Sequence, residues 1–138
     1  MRRYIIIGSG AAGMAAAEAV RRLDPTGMVW VISSDPNGYY SRPGLAYYLT
    51  GDIPREQLFP FPKEHWRELG IRWHTGAVSA IDPLNHVVTL DKGQPLPYDR
   101  LLIATGAEAQ LPDIPGSKLE GVLRLDSLED ADRILQMA

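Results

Sequence analysis

The chain contains no cysteine among its 138 residues. This absence excludes disulfide frameworks, thiolate nucleophiles, cysteine-based metal sites and dithiol redox pairs. The three histidines, His65, His74 and His86, stand 9 and 12 residues apart with no partner at the spacing of metal ligands, so we predict no metal site. Any redox chemistry must therefore belong to a bound cofactor.

Long apolar runs and strong charge are also missing. The longest uncharged run, Tyr4 to Ala17, has 14 residues, fewer than the roughly 20 that span a bilayer. Glycines interrupt this run, so the basic N-terminus is not interpreted as a secretory signal. A net charge of -3 without a basic cluster argues against nucleic acid as a partner. We expect one soluble, cytoplasmic domain with neither membrane nor nucleic acid as its partner.

The first 33 residues predict a strand, a helix and a second strand. Tyr4 to Ile7 and Met28 to Ser33 are apolar runs without alternation, which is typical of strands buried on both faces of a parallel sheet. Ala11 to Leu23 is rich in alanine and is followed by Asp-Pro, as expected of a helix and its end. A short crossover of this kind makes the two strands parallel neighbours.

The remaining pattern is looser. Prolines and glycines from Asp35 to Pro62 indicate a long ordered excursion from the sheet. The other predicted elements are a short helix at Leu45 to Thr50, a helix at Lys63 to Leu69 ended by Gly70, strands within 71–81, 86–90 and 96–105, a turn at Asp91 to Gly93, and a helix from about Ser127 to the end.

Gly8, Gly10 and Gly13 have G-x-G-x-x-G spacing between the first strand and the helix. The first glycine permits a tight turn, the second lets a pyrophosphate approach the backbone, and the third lets the helix lie close to the sheet. Free N–H groups at the helix start stabilise phosphate. The spacing is equally compatible with a strand-to-helix turn that binds nothing.

Asp35 lies 22 residues after Gly13, just past the second strand. A carboxylate at that position accepts hydrogen bonds from the hydroxyls of an adenosine ribose and repels a 2′-phosphate. Asp-Pro-Asn-Gly is also a good turn sequence in its own right, and the two roles are compatible. The motif therefore favours FAD or NAD over NADP.

Three stretches, "YIIIGSGAAGMAAAEAV", "YYSRPGLAYYLTGDI" and "YDRLLIATGAEAQLPDIPG", resemble the first FAD-binding segment of the pyridine nucleotide-disulfide oxidoreductase family. The chain is most similar to the cysteine-free branches, the flavoprotein parts of nitrite reductases and the rubredoxin and ferredoxin reductases. The resemblance implies an α/β fold: an incomplete, three-layer, Rossmann-like FAD-binding domain with a parallel sheet and an additional β-rich segment. Residues 1–110 would form this segment, and 111–138 a connector and helix leading toward an NAD(P)H-binding domain.

The same resemblance assigns the cofactor-binding residues. It places the loop on the FAD pyrophosphate, Asp35 at the ribose, Arg42 with Pro43 near flavin and pyrophosphate, and the Ala-Thr-Gly run beside bound FAD. Arg42 as a solvated loop cation and the Ala-Thr-Gly run as a mere strand end are the alternatives. The full set is Gly8, Ser9, Gly10, Ala11, Ala12, Gly13, Ser34, Asp35, Arg42, Pro43, Ala77, Val78, Ala104, Thr105 and Gly106. No catalytic residue is assigned.

Two departures from the family pattern indicate which branch of the family the chain is most similar to. Pro43 stands near the position at which other branches carry a reactive cysteine, which excludes thiol chemistry. Tyr47 occupies a position at which ferredoxin-reductase-like members often carry lysine, which favours the nitrite-reductase-like branch. Tyr39, Tyr40, Tyr47 and Tyr48 either line the flavin or serve as packing residues.

The resemblance implies the FAD-binding portion of an NAD(P)H-dependent flavoprotein oxidoreductase. Electrons would pass from NAD(P)H through FAD to a nitrite-reducing centre or a small electron-transfer protein. The NAD(P)H-binding domain or subunit would be a partner, self-association is left open, and this segment alone is not expected to turn over. A non-catalytic module that binds FAD or NAD and a scaffold fragment without ligand are the alternatives.

Overall fold

The computed structural model describes residues 1–62 and 64–138. Contacts divide the chain into two compact units. Unit 1 comprises Met1–Tyr39 with Phe61–Gly106, and unit 2 comprises Tyr40–Pro60 with Ala107–Ala138. This division by contacts differs from the predicted division by role at residue 110, which stays a prediction.

The strands and helices follow the predicted order. The strands in the described part are β1 (Arg3–Ile7), β2 (Met28–Ser33), β3 (Ile71–Thr75), β4 (Val78–Asp82), β5 (Val87–Leu90), β6 (Leu96–Pro97) and β7 (Arg100–Ile103). The α-helices are α1 (Ala11–Leu23), α2 (Leu45–Leu49), α3 (Glu64–Glu68) and α4 (Leu128–Met137), and 3-10 turns cover Arg42–Gly44 and Arg55–Leu58. The predicted start of the third helix, Lys63, lies outside the described residues.

Unit 1 is built on a parallel sheet with strand order β3-β2-β1-β7. Strand β1 pairs in parallel with β2 on one side and with β7 on the other. The predicted parallel neighbours β1 and β2 are thereby confirmed. Strands β4, β5 and β6 form a separate antiparallel sheet.

The core of unit 1 lies on both faces of the parallel sheet. On one face the strand side chains pack against Met14 and Ala17 of α1 and Trp66 of α3. On the other face they pack against Val88 and Leu90 of the antiparallel sheet. Burial on both faces explains the continuous apolar runs in β1 and β2. The predicted α/β class, with a parallel sheet and an additional β-rich layer, is confirmed.

Unit 2 packs α4 against the segment that contains α2. Its buried core consists of Tyr40, Leu45, Leu58, Leu128 and Ala131. Helix α4 begins with a capping box, in which the Ser127 side chain accepts from the Asp130 amide and the Asp130 side chain accepts from the Ser127 amide. This box satisfies N–H groups that have no partner within the helix.

Two of the predicted strands are each divided in the structure. The run 71–81 is split between two sheets at Gly76, whose N–H donates to the Ser33 carbonyl oxygen at 2.8 Å. The run 96–105 is split where the chain changes sheets, since the Tyr98 N–H bonds to the His86 carbonyl and the next N–H, of Asp99, bonds to the Arg3 carbonyl. Apolar periodicity alone does not show which sheet a strand joins.

Candidate functional site

The glycine loop joins β1 to α1, and its two outer glycines are required by the protein's own packing. Gly8 has φ +112, and a Cβ on this residue would collide with the carbonyl oxygen of Ala104. A Cβ on Gly13 would collide with the carbonyl oxygen of Gly8. These contacts let α1 approach the sheet closely, as the motif predicts.

Gly10 differs from Gly8 and Gly13 because no contact among the described residues requires a glycine there. Its φ is -76, which any residue can adopt, and apart from its two chain neighbours no described residue has an atom within 4 Å of the position of a Cβ. Gly10 caps α1 without a side-chain hydrogen bond, and the first turn of α1 contains no acidic residue. The open space at an uncompensated helix N-terminus fits a phosphate-bearing ligand.

The Ala-Thr-Gly run lies directly beside the glycine loop. The Ala104 N–H donates to the Ile7 carbonyl oxygen at 2.7 Å, and the Ala104 carbonyl is the group that excludes a side chain at Gly8. Thr105 and Gly106 are exposed just beyond it. Two sequence motifs separated by about ninety residues thus meet at the carboxyl edge of the parallel sheet, where open α/β sheets bind ligands.

Asp35 is half-buried in a turn just after β2. Its Oδ1 accepts hydrogen bonds from the backbone N–H of Asn37 at 2.9 Å and from the side-chain amide of Asn37 at 3.3 Å. The turn role of Asp35 is therefore present in the structure. Ser34 is exposed beside it, and the ribose role of Asp35 and the cofactor-binding role of Ser34 stay predictions.

Ala77 and Val78 stand where the chain passes from β3 to β4. The Ala77 N–H donates to Asp91 Oδ1 at 3.2 Å, and Val78 is half-buried and pairs with Leu90. The preceding residue, Gly76, bonds to the end of β2. Both residues thus follow β3 at the carboxyl edge that also carries the glycine loop.

Arg42 and Pro43 belong to unit 2. The Arg42 guanidinium donates to the Asp126 carbonyl oxygen at 2.6 Å and lies 5.4 Å from the ring centroid of Tyr40. Pro43 is exposed in the 3-10 turn Arg42–Gly44. These contacts give Arg42 a role inside unit 2, and its predicted role at a phosphate stays a prediction.

Three of the four tyrosines proposed for the flavin or for packing make contacts within their own unit. Tyr39 packs against Phe61 and Trp66 in unit 1. Tyr40 is 4% exposed and Tyr48 donates to Asp132 at 2.9 Å in unit 2. Tyr47 is 59% exposed.

The sequence prediction missed Ser33. It named the exposed Ser34, whereas the buried hydroxyl at this edge belongs to Ser33, and its Oγ lies 2.8 Å from the Oγ of Ser9. The available signal was a polar residue closing the apolar run "MVWVIS". Within 1–62 and 64–138, no group of His, Asp and Glu side chains is arranged to hold a metal ion, and no helix there has the length and apolarity to cross a membrane.

Residues 2–137 match the family described as pyridine nucleotide-disulphide oxidoreductase. The chain belongs to this family. The match covers essentially the whole chain and confirms the resemblance inferred from the glycine loop and the Ala-Thr-Gly run. Members of the pyridine nucleotide-disulphide oxidoreductase family therefore provide the comparison for the site.

Curated relatives within the family are considerably longer than this chain. A probable ferredoxin reductase from Castellaniella defragrans is 36% identical over 132 residues, which are 94% of this chain and 32% of the relative. An assimilatory nitrate reductase electron transfer subunit from Bacillus subtilis is 31% identical, over 99% of this chain and 18% of the relative. The chain thus spans a third or less of these proteins.

A solved structure has the same fold and is likewise longer than this chain. The crystal structure of a ferredoxin reductase from Rhodopseudomonas palustris matches with a TM-score of 0.89 and 28% identity, over 99% of this chain and 34% of that one. The fold of unit 1 and the family assignment therefore agree. Of the two predicted kinds, ferredoxin reductases are represented among the matches; the second relative is a nitrate reductase subunit, whereas the sequence analysis named nitrite reductases.

Proposed function

We propose that this chain is the FAD-binding portion of an NAD(P)H-dependent flavoprotein oxidoreductase. The observation that carries the proposal is Gly10. Its neighbours Gly8 and Gly13 are required by backbone contacts within the protein, whereas the position of a Cβ on Gly10 is open. A glycine that neither backbone conformation nor packing requires is explained by a ligand that approaches the backbone closely.

The candidate residues at the helix start, after β2 and after β7 then have roles in binding. The N–H groups at the start of α1, from Ala11 to Gly13, would bind the pyrophosphate, supported by the helix dipole. Ser34 and Asp35 would bind the adenosine ribose, and the exposed backbone at Thr105 and Gly106 would line the cofactor. When bound, the flavin supplies the hydride and electron transfer. The chain positions it, and no side chain is assigned as a general acid or base.

The partners belong to the same proposal. The electron donor would be NAD(P)H, bound by another domain or subunit, and the acceptor would be a redox protein or centre of the kind that the relatives' names describe. The presence of Tyr47 rather than a lysine favours an acceptor like that of the nitrite-reductase branch. A cytoplasmic location is part of the proposal, and self-association is left open.

The decisive experiment is a visible absorption spectrum of the purified chain, before and after incubation with FAD, with chromatography of any released cofactor. Flavin bands with FAD released would support the proposal. A protein that stays colourless after incubation with FAD would contradict the proposal that this portion holds the cofactor. Bound nucleotide that NADH does not reduce, even beside an NAD(P)H-binding partner, would favour a non-catalytic module.

Gly10→Val tests the site itself. The branched side chain would occupy the space in which we place the pyrophosphate, so FAD binding should be abolished while the thermal midpoint changes little. Ala15→Val is the matched control, because Ala15 is exposed on the same helix and the change costs only about 0.5 kcal/mol of helix propensity. Retained FAD binding in Gly10→Val would exclude the loop as the binding site.

A further inference from the structure

Two buried serine hydroxyls lie between the glycine loop and the turn that contains Asp35. Ser9 is 7% exposed and Ser33 is 8% exposed, and their Oγ atoms are 2.8 Å apart. Buried hydroxyls require hydrogen-bond partners. The glycine motif does not require a hydroxyl at either position, so this pair is an additional feature of the site. We name it the Ser9–Ser33 pair.

The hydrogen bonds around the pair connect it to the turn that contains Asp35. Ser33 Oγ accepts from the backbone N–H of Asp35 at 3.1 Å, and Ser9 Oγ lies 3.5 Å from the carbonyl oxygen of Gly38. Each hydroxyl has a single proton. The Ser9 hydroxyl donates to Ser33 Oγ at 2.8 Å, and its contact with the Gly38 carbonyl oxygen is longer and weaker. The contacts therefore link the Asp35 N–H, through both serines, to Gly38.

This series of contacts reaches both ends of one turn. The turn from Asp35 to Gly38 is closed by the Gly38 N–H, which donates to the Asp35 carbonyl oxygen at 3.4 Å. The Asp35 carboxylate is fixed within it by the two bonds from Asn37. Because Ser9 belongs to the glycine loop, the Ser9–Ser33 pair sets the position of the carboxylate relative to that loop.

We propose that the Ser9–Ser33 pair is a positioning device that determines nucleotide specificity. By fixing the acidic turn against the glycine loop, it holds the Asp35 carboxylate where a ligand bound through its pyrophosphate presents the 2′ position of the adenosine ribose. A 2′-phosphate is then rejected and a free hydroxyl accepted. The inference rests on the proposed function, and neither serine is required to touch the nucleotide.

The test compares affinities for ADP and for 2′-phosphoadenosine 5′-diphosphate. Both probes carry the adenosine and pyrophosphate and differ only at the 2′ position. Partial unfolding therefore lowers both affinities equally and leaves their ratio unchanged. In Ser9→Ala and Ser33→Ala the preference for ADP should fall roughly threefold to tenfold, the equivalent of one lost hydrogen bond. Asp35→Asn keeps the turn acceptor but removes the charge, so it shows the largest loss of preference that the serine variants can reach.

Controls and a second measurement separate this inference from the proposed function. Ser33→Thr keeps the hydroxyl and should have the wild-type ratio of the two affinities. The double variant Ser9→Ala with Ser33→Ala should lose no more of the preference for ADP than either single variant. Ser79 is an exposed serine of β4 whose hydroxyl donates to the Thr89 carbonyl oxygen, and Ser79→Ala should have the wild-type ratio. Amide hydrogen exchange at Asp35 should accelerate in both alanine variants. Unchanged exchange would overturn the Ser9–Ser33 pair as a positioning device and leave the proposed function standing. Faster exchange with an unchanged ratio would overturn the role of the pair in specificity. Absence of ADP binding to the wild-type chain would overturn the proposed function and the specificity role with it.

Discussion

The two units of this protein are stabilised by different kinds of contact. In unit 1 a parallel sheet is joined by backbone hydrogen bonds, and its glycine loop fits only because backbone meets backbone at Gly8 and Gly13. In unit 2 side chains connect Tyr40–Pro60 with Ala107–Ala138: Tyr40 OH accepts from the Leu128 N–H at 3.0 Å, and Asp132 accepts from Arg55. An atom added at a tight backbone contact forces the main chain to move, whereas the loss of a side-chain hydrogen bond disturbs only the residues around it.

The largest effect that this comparison predicts is that of Gly13→Ala. Alanine favours a helix by about 1 kcal/mol over glycine, yet here its Cβ would meet the carbonyl oxygen of Gly8. We expect a net loss of about 3 kcal/mol or more in the free energy of unfolding, as in severe overpacking. Urea unfolding followed by tryptophan fluorescence measures this loss in unit 1, because all three tryptophans, Trp30, Trp66 and Trp73, belong to that unit.

Gly10→Ala is the matched control for Gly13→Ala. It places the same methyl group three residues earlier, where no described residue other than the two chain neighbours has an atom within 4 Å. Replacing glycine by alanine at a helix N-cap costs less than about 1 kcal/mol. Equal losses in the free energy of unfolding of the two variants would show that the contact of Gly13 with the Gly8 carbonyl oxygen does not cause the destabilisation.

A smaller and more local effect is expected in unit 2 from Ser127→Ala. The substitution removes the side chain that accepts from the Asp130 N–H at 3.1 Å, and loss of such a cap costs about 1 kcal/mol. Amide hydrogen exchange should accelerate in the first turn of α4. Ser127→Thr keeps the acceptor and should exchange like the wild type. If threonine behaved like alanine, the capping bond would not be the cause.

The same contrast separates what could be predicted from the sequence from what could not. Strand β2 and helix α1 have the predicted bounds, since apolar runs and helix-ending residues are local signals. The bond between Tyr40 and Leu128 joins residues 88 positions apart, and no local pattern indicates such a pair. The division of 71–81 into two strands has the same origin, because it depends on which sheet each half meets.

In the candidate site, too, local signals could be predicted and contacts between distant residues could not. The glycine spacing predicts the loop, and the structure places the Ala-Thr-Gly run against Gly8 by a backbone contact that only the fold reveals. The Ser9–Ser33 pair was missed because the glycine spacing sets no residue type at Ser9 and does not include Ser33. Two hydroxyls 24 residues apart become partners only after β2 has been placed beside β1.

The smallest predicted effect is a pH dependence that differs between the units. In unit 1 a hydrogen bond from the Arg3 side chain, followed by one from the Arg3 backbone N–H, lowers the pKa of Asp99. In unit 2 a hydrogen bond to Asp132, followed by burial, raises the pKa of Tyr48 above its ordinary value. A lowered aspartate pKa means that the folded state favours the carboxylate, and a raised tyrosine pKa means that it favours the neutral phenol.

The two shifts act at opposite ends of the pH range. The contribution of Asp99 is complete above its unfolded pKa, near 4, and is lost as the pH falls through the lower folded value. The contribution of Tyr48 is complete below its unfolded pKa, near 10, and is lost as the pH rises through the higher folded value. Asp99→Asn should therefore flatten the acid limb of the urea midpoint measured by tryptophan fluorescence. Tyr48→Phe should leave that limb unchanged and reduce the alkaline rise in amide exchange of α4 relative to wild type, after correction for intrinsic rates. An acid limb that was equally steep in Asp99→Asn would mean that solvent screens the Arg3 contact completely, as expected for the weakest exposed ion pairs.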